Sequence, residues 1–481
     1  MKIKKIVIKN FRLFETDNAF EVDNINTPDQ QNMGSGITVF VGENGCGKTS
    51  LLDAMALPLL SYKAENFSIN DFNDPNKKTL IEVFSDTDFS VDGTMPRGSF
   101  NSKGFLFEAG IRSRDNKAYL SSIVVSDQKF IKADGQEKPK DGSPDLRVNV
   151  NNPFKGQRFS ENDILFLDKN RTFQIRSGTY NTTRFDRLME DFDYQYIKNQ
   201  ENINDLNENL DSVIKKGIEN EFIGKAITKF KEFSGSDIRL NFIENWRPFK
   251  RSFFSEKKEN NLQVNLNMLG SGYEMIFSLI YSFYLSQQSG KQLIVFIDEP
   301  ELHLHPSLQN NFVNFLLEIS KKAQIIMTSQ SPLFIKQLSY NENAKIFVFQ
   351  KNDGKPELIT MEKRILPFVS ANEINYLAFK LPSIEFHNEL YGFIQIKAID
   401  ENEENYFENN FDNFLQSKGL PIYRKPWIKL NKDGTTVSNN RTTQTYIRNF
   451  IHHPENKHNE KFSDEEMKLS IEQMISLLKS L

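Results

Sequence analysis

Hydrophobic and polar positions predict the order of strands and helices in the N-terminal part of the chain. Isoleucines recur with nearly period-two spacing over Lys2–Lys9, which predicts a strand, and Ile37–Val41 is an uninterrupted apolar run of the buried-strand type. A glycine-rich segment follows that run directly. Apolar residues then resume over Thr49–Leu60 in a pattern that predicts a helix. The predicted order is therefore strand, glycine-rich loop, helix.

The middle of the chain shows a different pattern. Three runs separated by polar turns, Leu80–Phe84, Phe105–Arg112 and Tyr119–Ser126, predict an antiparallel β-lobe. The segment Lys132–Pro144 has no apolar periodicity and predicts an exposed loop. From Arg184 to Phe233 the apolar spacing favours helices, so we expect an inserted helical lobe of about 50 residues.

The second half of the chain returns to alternating strands and helices before its composition changes. The predicted elements are strands over Ile238–Ile243, Leu262–Leu266, Leu293–Ile297 and Gln324–Thr328, and helices over Tyr273–Leu285 and Ser307–Lys321. After about Pro367 the chain is rich in Asn, Glu, Phe and Tyr, and we expect helices there with one polar loop, Asn431–Asn440.

These patterns predict an α/β fold with four parts. An α/β core is expected to be split between residues 1–185, which include the β-lobe, and residues 236–366. Residues 186–235 form the predicted helical insertion, and residues 367–481 form a mainly helical C-terminal domain.

Chain length and net charge limit the number of domains and the kinds of partner that can be expected. A chain of 481 residues exceeds the size at which one hydrophobic core stops growing, so two or three domains are expected. The net charge of −4 gives no global attraction for nucleic acid, and contact with DNA or RNA would need local patches such as Lys250, Arg251, Lys257 and Lys258. Because 26% of the residues are charged, an ordinary solvated surface is the favoured interpretation of that patch, and nucleic acid stays an open partner.

The single cysteine and the absence of long apolar runs indicate in which cellular compartment the protein is expected. Cys46 alone cannot form an internal disulfide or a cysteine-based zinc site. No apolar run approaches the ~20 residues that span a bilayer, and Met1–Asn10 lacks the apolar core of a signal peptide. We therefore expect a cytoplasmic protein with no membrane partner.

The glycine-rich segment carries the strongest chemical signal. Gly42–Thr49 reads Gly-Glu-Asn-Gly-Cys-Gly-Lys-Thr and satisfies the Walker A pattern G-x-x-x-x-G-K-[ST] between a strand and a helix. Such a loop surrounds phosphates with backbone N–H groups, its lysine neutralises β- and γ-phosphate charge, and its Thr hydroxyl can bind Mg²⁺. The predicted ATP-binding residues of this segment are Asn44, Gly45, Cys46, Gly47, Lys48, Thr49 and Ser50.

An acidic pair follows the apolar run Leu293–Ile297. Asp298 at the end of a buried strand is expected to join Thr49 as a ligand of Mg²⁺, and Glu299 is expected to act as the general base for the attacking water. This is the arrangement of a Walker B strand.

A serine and glycine cluster, Leu269–Glu274, opens a predicted helix before the acidic pair. A helix N-terminus of this composition can bind an anion, so Ser271 and Gly272 are candidates for contact with the γ-phosphate. Taken without the other motifs, a helix N-cap at Ser271 is the favoured interpretation.

Together these segments resemble the ABC-type ATPases of the SMC and RecF group, including compact ATPases of bacterial anti-phage systems. The resemblance covers roughly the first 365 residues and rests on Ile8–Arg12, the Walker A loop, Gly270–Glu274, Asp298–Pro306 and Ser329–Pro332. It implies that Arg12 contacts the nucleotide and that ATP lies between two subunits. It also implies that Ser271 acts on the ATP of the other subunit, so the working unit is a homodimer or a higher homo-oligomer.

Three positions depart from that pattern or leave it open. Gln330 stands where these ATPases usually carry a switch histidine, and a neutral amide can orient water but cannot carry a proton, which predicts slow turnover. Asp71 is the candidate for the Q-loop position. His303 and His305 alternate as metal ligands sometimes do, but no third histidine or cysteine ligand is apparent, and we favour a loop without metal.

The C-terminal part resembles Septu-type and retron-associated defence ATPases, which work beside a separate HNH nuclease subunit. The segments that carry this resemblance are Glu373–Tyr376, Ser383–Tyr391 and Tyr446–Asn456. Arg448 and His453 also fit the R-x4-6-H pattern of HEPN ribonucleases, where they would serve as an acid/base pair. That pattern is short, and a structural or partner-docking use of these residues is favoured.

Three functions remain open from sequence alone. The leading hypothesis is an ATP-dependent sensor or regulator of an HNH-type nuclease in anti-phage defence, with ATP and Mg²⁺ as cofactors. The second is a toxin in which the ATPase controls its own HEPN-like ribonuclease. The third, a RecF-type DNA repair ATPase, is weakened by the absence of a basic surface signal.

Overall fold

The chain forms two compact units, Met1–Leu358 and Ile359–Leu481. The expected boundary between residues 366 and 367 lies inside the second unit. The computed structural model describes residues 1–60, 63, 67–94, 97–111, 118–126, 129–132, 162–169, 222–241, 253–257, 263–265, 270–288, 290–352, 354–359, 365–368, 370–431 and 434–481.

The strands are β1 Ile3–Lys9, β2 Phe20–Val22, β3 Ile37–Gly42, β4 Thr79–Thr94, β5 Arg97–Ile111, β6 Ala118–Ser126, β7 Lys129–Lys132, β8 Asn162–Leu167, β9 Ile238–Asn241, β10 Phe253–Lys257, β11 Gln263–Asn265, β12 Gln292–Ile297, β13 Gln324–Ser329, β14 Lys345–Asn352, β15 Lys355–Ile359, β16 Trp427–Leu430 and β17 Thr436–Asn439. The α-helices are α1 Lys48–Ala56, α2 Phe222–Ser234, α3 Ser271–Gln288, α4 Pro306–Ile319, α5 Pro332–Ser339, α6 Ala371–Phe379, α7 Ile384–Glu401, α8 Glu408–Ser417, α9 Thr443–His452 and α10 Asp464–Ser480. Short 3-10 helices cover Ile69–Asp71, Pro300–His303 and Glu403–Tyr406.

The central sheet of the first unit has the order β15-β14-β3-β13-β12-β8. Its strands β14, β3, β13, β12 and β8 are parallel to one another. Every residue of β3 and β13 is buried, which explains why these strands read as continuous apolar runs. Because the strands are parallel, the segments that follow β3, β12 and β13 meet at one edge of the sheet.

A second sheet is antiparallel and has the order β2-β1-β4-β5-β6-β7. It is the predicted β-lobe, although β4 and β5 are longer than the apolar runs that predicted them. Helix α1 supplies Leu51, Leu52 and Met55 to a core that includes Ile6 and Phe107 from this lobe. The same core contains residues of the parallel sheet, so α1 connects the two sheets. The expected fold class, an ABC-type P-loop ATPase core with an antiparallel β-lobe, is confirmed.

Part of the predicted organisation of the first unit lies outside the described residues. Of the expected helical insertion at 186–235, the structure describes the part from residue 222 onward, which contains α2. The exposed loop expected at 132–144 lies outside the described residues after Lys132. A small antiparallel sheet, β11-β10-β9, follows α2.

The second unit is mainly helical, as expected for the C-terminal domain. Its helices α6 to α10 enclose a core that includes Phe386, Leu390, Phe411, Ile471 and Met474. Within the described part of the chain, no helix combines the length and the apolar character that a membrane span requires.

One prediction for this unit was wrong. The expected polar loop 431–440 contains strand β17, which pairs with β16 in an antiparallel hairpin. The backbone turns at Gly434, whose φ of 82° favours glycine, and the N–H of Asn431 donates to the carbonyl of Thr435. Polarity alone suggested a loop, whereas Thr436 and Val437 have the β-branched side chains that favour a strand.

Candidate active site

The Walker A segment forms a tight loop between β3 and α1. A Cβ atom at Gly42 would lie 2.2 Å from the carbonyl oxygen of Phe349, so the backbone there tolerates only glycine. Gly45 and Gly47 have φ values of 76° and 109°, which glycine adopts without strain. Gly47 is the N-cap of α1, and its left-handed conformation turns the loop into the helix that begins at Lys48.

Lys48 lies within this loop and is only 4% exposed. Its ammonium group donates to the carbonyl oxygens of Gly42 at 2.8 Å and Glu43 at 2.7 Å. Asn44 and Gly45 are exposed at the tip of the loop, whereas Cys46 is buried. The lysine charge is thus held by the backbone that is expected to surround the phosphates.

Thr49 and Asp298 are brought together as the sequence predicted for two ligands of one cation. The hydroxyl of Thr49 lies 3.0 and 3.2 Å from the two carboxylate oxygens of Asp298. Burial raises the pKa of Asp298, while hydrogen bonds from Thr328 and Thr49 oppose that shift. Hydroxyl and carboxylate oxygens are the donors that Mg²⁺ prefers, so the donor set fits that ion. Ser50 follows Thr49 in α1 and is half-buried.

Thr328, which sequence reasoning missed, organises both members of the acidic pair. Its hydroxyl donates to the Oδ1 atom of Asp298 at 2.6 Å and accepts the backbone N–H of Glu299 at 3.1 Å. Glu299 itself has a φ of 46°, a conformation that non-glycine residues rarely adopt. One hydroxyl therefore fixes the carboxylate of one acid and the backbone of the other.

The structure also brings Glu299 and Gln330 into contact. The side-chain amide of Gln330 donates to the Oε1 atom of Glu299. Glu299 is 7% exposed, and Gln330 is half-buried in the segment that follows β13. The candidate general base and the residue in the switch position are therefore direct neighbours.

Glu301 is a further carboxylate of the site to which the sequence assigned no role. Its Oε1 atom accepts the hydroxyl of Ser329 at 3.1 Å and the backbone N–H of Gln330. Its Oε2 atom is buried and has no hydrogen-bond partner among the described residues. Burial raises the pKa of Glu301, although these two hydrogen bonds oppose the shift. In the sequence, the only indication that Glu301 belongs to the site is its place as the third acid of Asp-Glu-Pro-Glu, residues 298–301.

The serine and glycine cluster lies at the start of α3. Gly270 precedes the helix with a φ of 122°, and Ser271 is its first residue. A Cβ atom at Gly272 would lie 2.1 Å from the carbonyl oxygen of His303. Gly272 therefore packs against the 3-10 helix Pro300–His303, the segment that follows the acidic pair.

Arg12 lies in a cluster of charged residues beside α1. Its guanidinium donates to Asp53 at 2.7 Å and to Asp71 at 2.8 Å, and Lys63 also binds Asp53 at 2.6 Å. The other carboxylate oxygen of Asp71 accepts the backbone N–H of Ser68 at 2.8 Å. Asp71, the candidate for the Q-loop position, is thus placed beside Arg12. Sequence reasoning missed Asp53 and Lys63.

The two histidines after the acidic pair have contacts within the chain. His303 Nε2 lies 2.7 Å from the carbonyl of Lys169, and His305 Nδ1 accepts the backbone N–H of Ser307 at the start of α4. Among the described residues, no three His, Cys, Asp or Glu side chains are grouped so that they could hold a metal ion. Of the basic patch, Lys250, Arg251 and Lys258 lie outside the described residues.

Arg448 lies in the second half of α9, and His453 is the C-cap of that helix in the second unit. Arg448 forms an ion pair with Glu408 at 3.5 Å, and its guanidinium lies 5.7 Å from the ring centre of Tyr391. His453 is exposed and lies 3.3 Å from Glu455. The two residues of the R-x4-6-H pattern therefore contact different carboxylates.

A P-loop between a buried parallel strand and a helix, with an acidic pair on a neighbouring strand and an antiparallel β-lobe, defines a P-loop ATPase of the ABC class. The chain belongs to the family described as "AAA domain, putative AbiEii toxin, Type IV TA system", which matches residues 37–336. Membership of this family implies ATP binding and ATPase activity.

Two curated relatives are nucleases by name. The chain is 26% identical over 350 residues to the OLD nuclease of Thermus scotoductus, a match that covers 69% of this chain and 59% of that protein. It is 21% identical over 410 residues to endonuclease GajA of Bacillus cereus, covering 71% of this chain and 60% of that protein. The chain thus spans about three-fifths of the length of these relatives.

Among solved structures, the chain is similar to an SMC head bound to the C-terminal winged-helix domain of ScpA. The two chains are 16% identical with a TM-score of 0.45, and the match covers 76% of this chain and 99% of that one.

Proposed function

We propose that the chain binds ATP with Mg²⁺ at the Gly42–Thr49 loop and hydrolyses it with Glu299 as general base. The observation that carries this proposal is the pair of contacts Thr49–Asp298 and Glu299–Gln330 at one edge of the parallel sheet. Lys48 would bind the β- and γ-phosphates in place of the loop carbonyls that it now contacts. Mg²⁺, held by Thr49 and Asp298, would neutralise charge on the phosphate oxygens.

Slow turnover is part of the proposal. Glu299 accepts a proton from the attacking water, and the amide of Gln330 orients that water and Glu299. The amide donates to the Oε1 atom of Glu299, so this contact orients the carboxylate toward the water. Unlike a histidine, Gln330 carries no charge that could stabilise the transition state. ATP would therefore persist in the site longer than in a typical ATPase.

The ATP-bound unit is proposed to be a dimer or a higher homo-oligomer. Ser271 begins α3, where a helix N-terminus favours an anion. A γ-phosphate held by Lys48 of one subunit and by Ser271 of the partner subunit would join the two copies. Nucleotide binding and assembly would then be linked, because ATP adds contacts only in the assembled state.

The biological output is proposed to be control of a nuclease in anti-phage defence, with an HNH-type subunit as the partner. The family description names a toxin and a toxin–antitoxin system, and two relatives are named nucleases. The second unit has its own hydrophobic core, as a docking or effector domain requires. Arg448 is paired with Glu408 and His453 lies beside Glu455, which fits a structural use of these side chains better than a shared acid/base site.

Three substitutions test the ATPase part. Lys48→Ala should abolish ATP binding in a fluorescent-nucleotide assay. Glu299→Gln should bind ATP, stop hydrolysis and accumulate the assembled form in size-exclusion chromatography with light scattering. Gln330→His should raise kcat above that of the wild type, which we expect below about 1 s⁻¹, the lower end of the usual range for enzymes. Unchanged nucleotide affinity in Lys48→Ala would refute the site.

The nuclease part is tested by expressing the chain alone and together with a candidate HNH subunit. We expect the lone chain to be harmless and the pair to restrict phage only when Lys48 is intact. Arg448→Ala and His453→Ala should weaken co-purification of the partner. If the lone chain instead breaks RNA and both substitutions prevent it, the chain is itself a ribonuclease and the partner proposal fails.

A further inference from the structure

The carboxyl group of Glu301 has contacts that no nucleotide-binding role requires. It follows the acidic pair on the 3-10 helix Pro300–His303, and its Oε1 atom accepts two hydrogen bonds from the segment after β13. One donor is the backbone N–H of Gln330, the residue whose side chain donates to Glu299. Gln330 thus binds Glu301 through its backbone and Glu299 through its side chain.

The segment that carries Glu301 is fixed on its other side by α3. Gly272 approaches the carbonyl of His303 so closely that a Cβ atom there would lie 2.1 Å from that oxygen. Leu304 donates its N–H to the carbonyl of Glu301 at 3.2 Å and is itself buried. The 3-10 helix therefore offers a fixed support for the Glu301 side chain.

Other roles for Glu301 fit these contacts less well. A metal ligand would lie with Thr49 and Asp298, but the Oε1 atom of Glu301 is engaged by Ser329 and Gln330 instead. A second general base would need an accessible oxygen, whereas Oε2 is buried. The contacts of the Oε1 atom with Ser329 and Gln330 depend on where this oxygen lies and not on the charge of the carboxylate.

We propose that Glu301 is a positioning residue that fixes the backbone of Gln330 so that the Gln330 amide reaches Glu299. The proposal rests on the proposed function, since it takes Glu299 as the general base. Glu301 then affects the rate of the chemical step and leaves ATP binding unchanged, because its contacts with the described residues do not include the Walker A loop.

Two conservative substitutions separate position from charge. Glu301→Gln keeps the length of the side chain and an oxygen that can accept both hydrogen bonds, so kcat should stay within twofold of the wild type. Glu301→Asp keeps the charge but shortens the side chain by one CH₂ group, so kcat should fall about 10- to 100-fold, as for other supporting residues, with KM for ATP unchanged. A role for the charge predicts the reverse order, and that result would overturn the proposal.

A double-mutant cycle tests whether Glu301 acts through Gln330. In a Gln330→Ala background, Glu301→Asp should lower kcat by less than about threefold, because the group that Glu301 positions is already gone. Equal effects in both backgrounds would overturn the proposal. If Lys48→Ala and Glu299→Gln leave hydrolysis intact, the proposed function fails instead, and the two failures are thereby distinguished.

A matched control comes from the second unit. Glu373 is a buried carboxylate that also accepts two hydrogen bonds, in its case from the backbone N–H groups of Ile365 and Leu366. Glu373→Asp should lower the thermal stability and leave kcat unchanged. A fall in kcat with this variant equal to that of Glu301→Asp would show that the kinetic effect is a general consequence of destabilisation and would overturn the proposal.

Discussion

Thr328 offers the most direct test of how the acidic pair is organised. Thr328→Val keeps the shape of the side chain but removes the hydroxyl that donates to Asp298 at 2.6 Å and accepts the N–H of Glu299 at 3.1 Å. Thr328 is fully buried, so water cannot replace the lost partner without rearrangement. The valine removes one acceptor from the backbone N–H of Glu299 and one donor from the Asp298 carboxylate.

The expected magnitudes follow from these two contacts. An ordinary hydrogen bond contributes about 0.5–1.5 kcal/mol and one to a charged group about 1.5–3 kcal/mol, so the free energy of unfolding should fall by about 2–4.5 kcal/mol. The Thr328 hydrogen bond lowers the pKa of Asp298 against the larger effect of burial, which raises it. Its loss should weaken Mg²⁺ binding, and the Mg²⁺ concentration for half-maximal ATPase activity should rise about 10- to 100-fold.

The assay is ATPase activity titrated with Mg²⁺, together with urea unfolding of the same preparations. Thr38→Val is the matched control, because Thr38 is also fully buried in the parallel sheet and its hydroxyl accepts the N–H of Asn26 at 2.9 Å, far from the acidic pair in the chain. The control should lose stability without changing the Mg²⁺ requirement. A Thr328→Val protein with wild-type Mg²⁺ dependence would refute the role assigned to the hydroxyl.

Three further predictions follow from single residues. Gly272→Ala should lower kcat and stability together, because the added methyl group meets the carbonyl of His303; wild-type values in ATPase and thermal-unfolding assays would contradict this. Burial lowers the pKa of His387 to about 3, so between about pH 3 and 6.5 the unfolded chain binds one more proton than the folded chain. The free energy of unfolding therefore decreases as the pH is lowered through this range. From pH 7 to 5 the loss should be about 2 kcal/mol in urea titrations and should disappear in His387→Phe. Burial raises the pKa of Cys46, and thiol labelling at pH 7 should be much slower in native than in denatured protein.

The central strands, the Walker A loop and the acidic pair could be predicted because their signals are local. A buried parallel strand needs a continuous apolar run, and the loop after β3 needs glycine where the backbone touches Phe349 or turns left-handed. Each requirement leaves its mark within a few residues of the chain. The position of Lys48 at the start of α1 follows from the same spacing.

The supporting residues could not be predicted because their partners are set by strand pairing. Ile297 lies opposite Met327 in the β12–β13 register, so Asp298, which follows β12, comes level with Thr328 of β13. No property of Thr328 itself distinguishes it from other buried threonines. The β16–β17 hairpin was missed for a related reason, since polar residues on a two-stranded ribbon exposed to solvent look like a loop.

The two sets of contacts also explain how ATP binding and hydrolysis can be controlled separately. In the proposed site, ATP binding depends on the loop after β3 and on Asp298 after β12, whereas Glu299 contacts Gln330 after β13. Movement of the segment after β13 would alter the general base without disturbing the phosphate-binding loop. A regulator that must hold ATP until a signal arrives needs this separation. The signal can then change the rate of hydrolysis without changing the affinity of the protein for ATP. The proposed slow turnover and the proposed control of a nuclease then have one structural origin, the neutral amide of Gln330 beside the proposed general base.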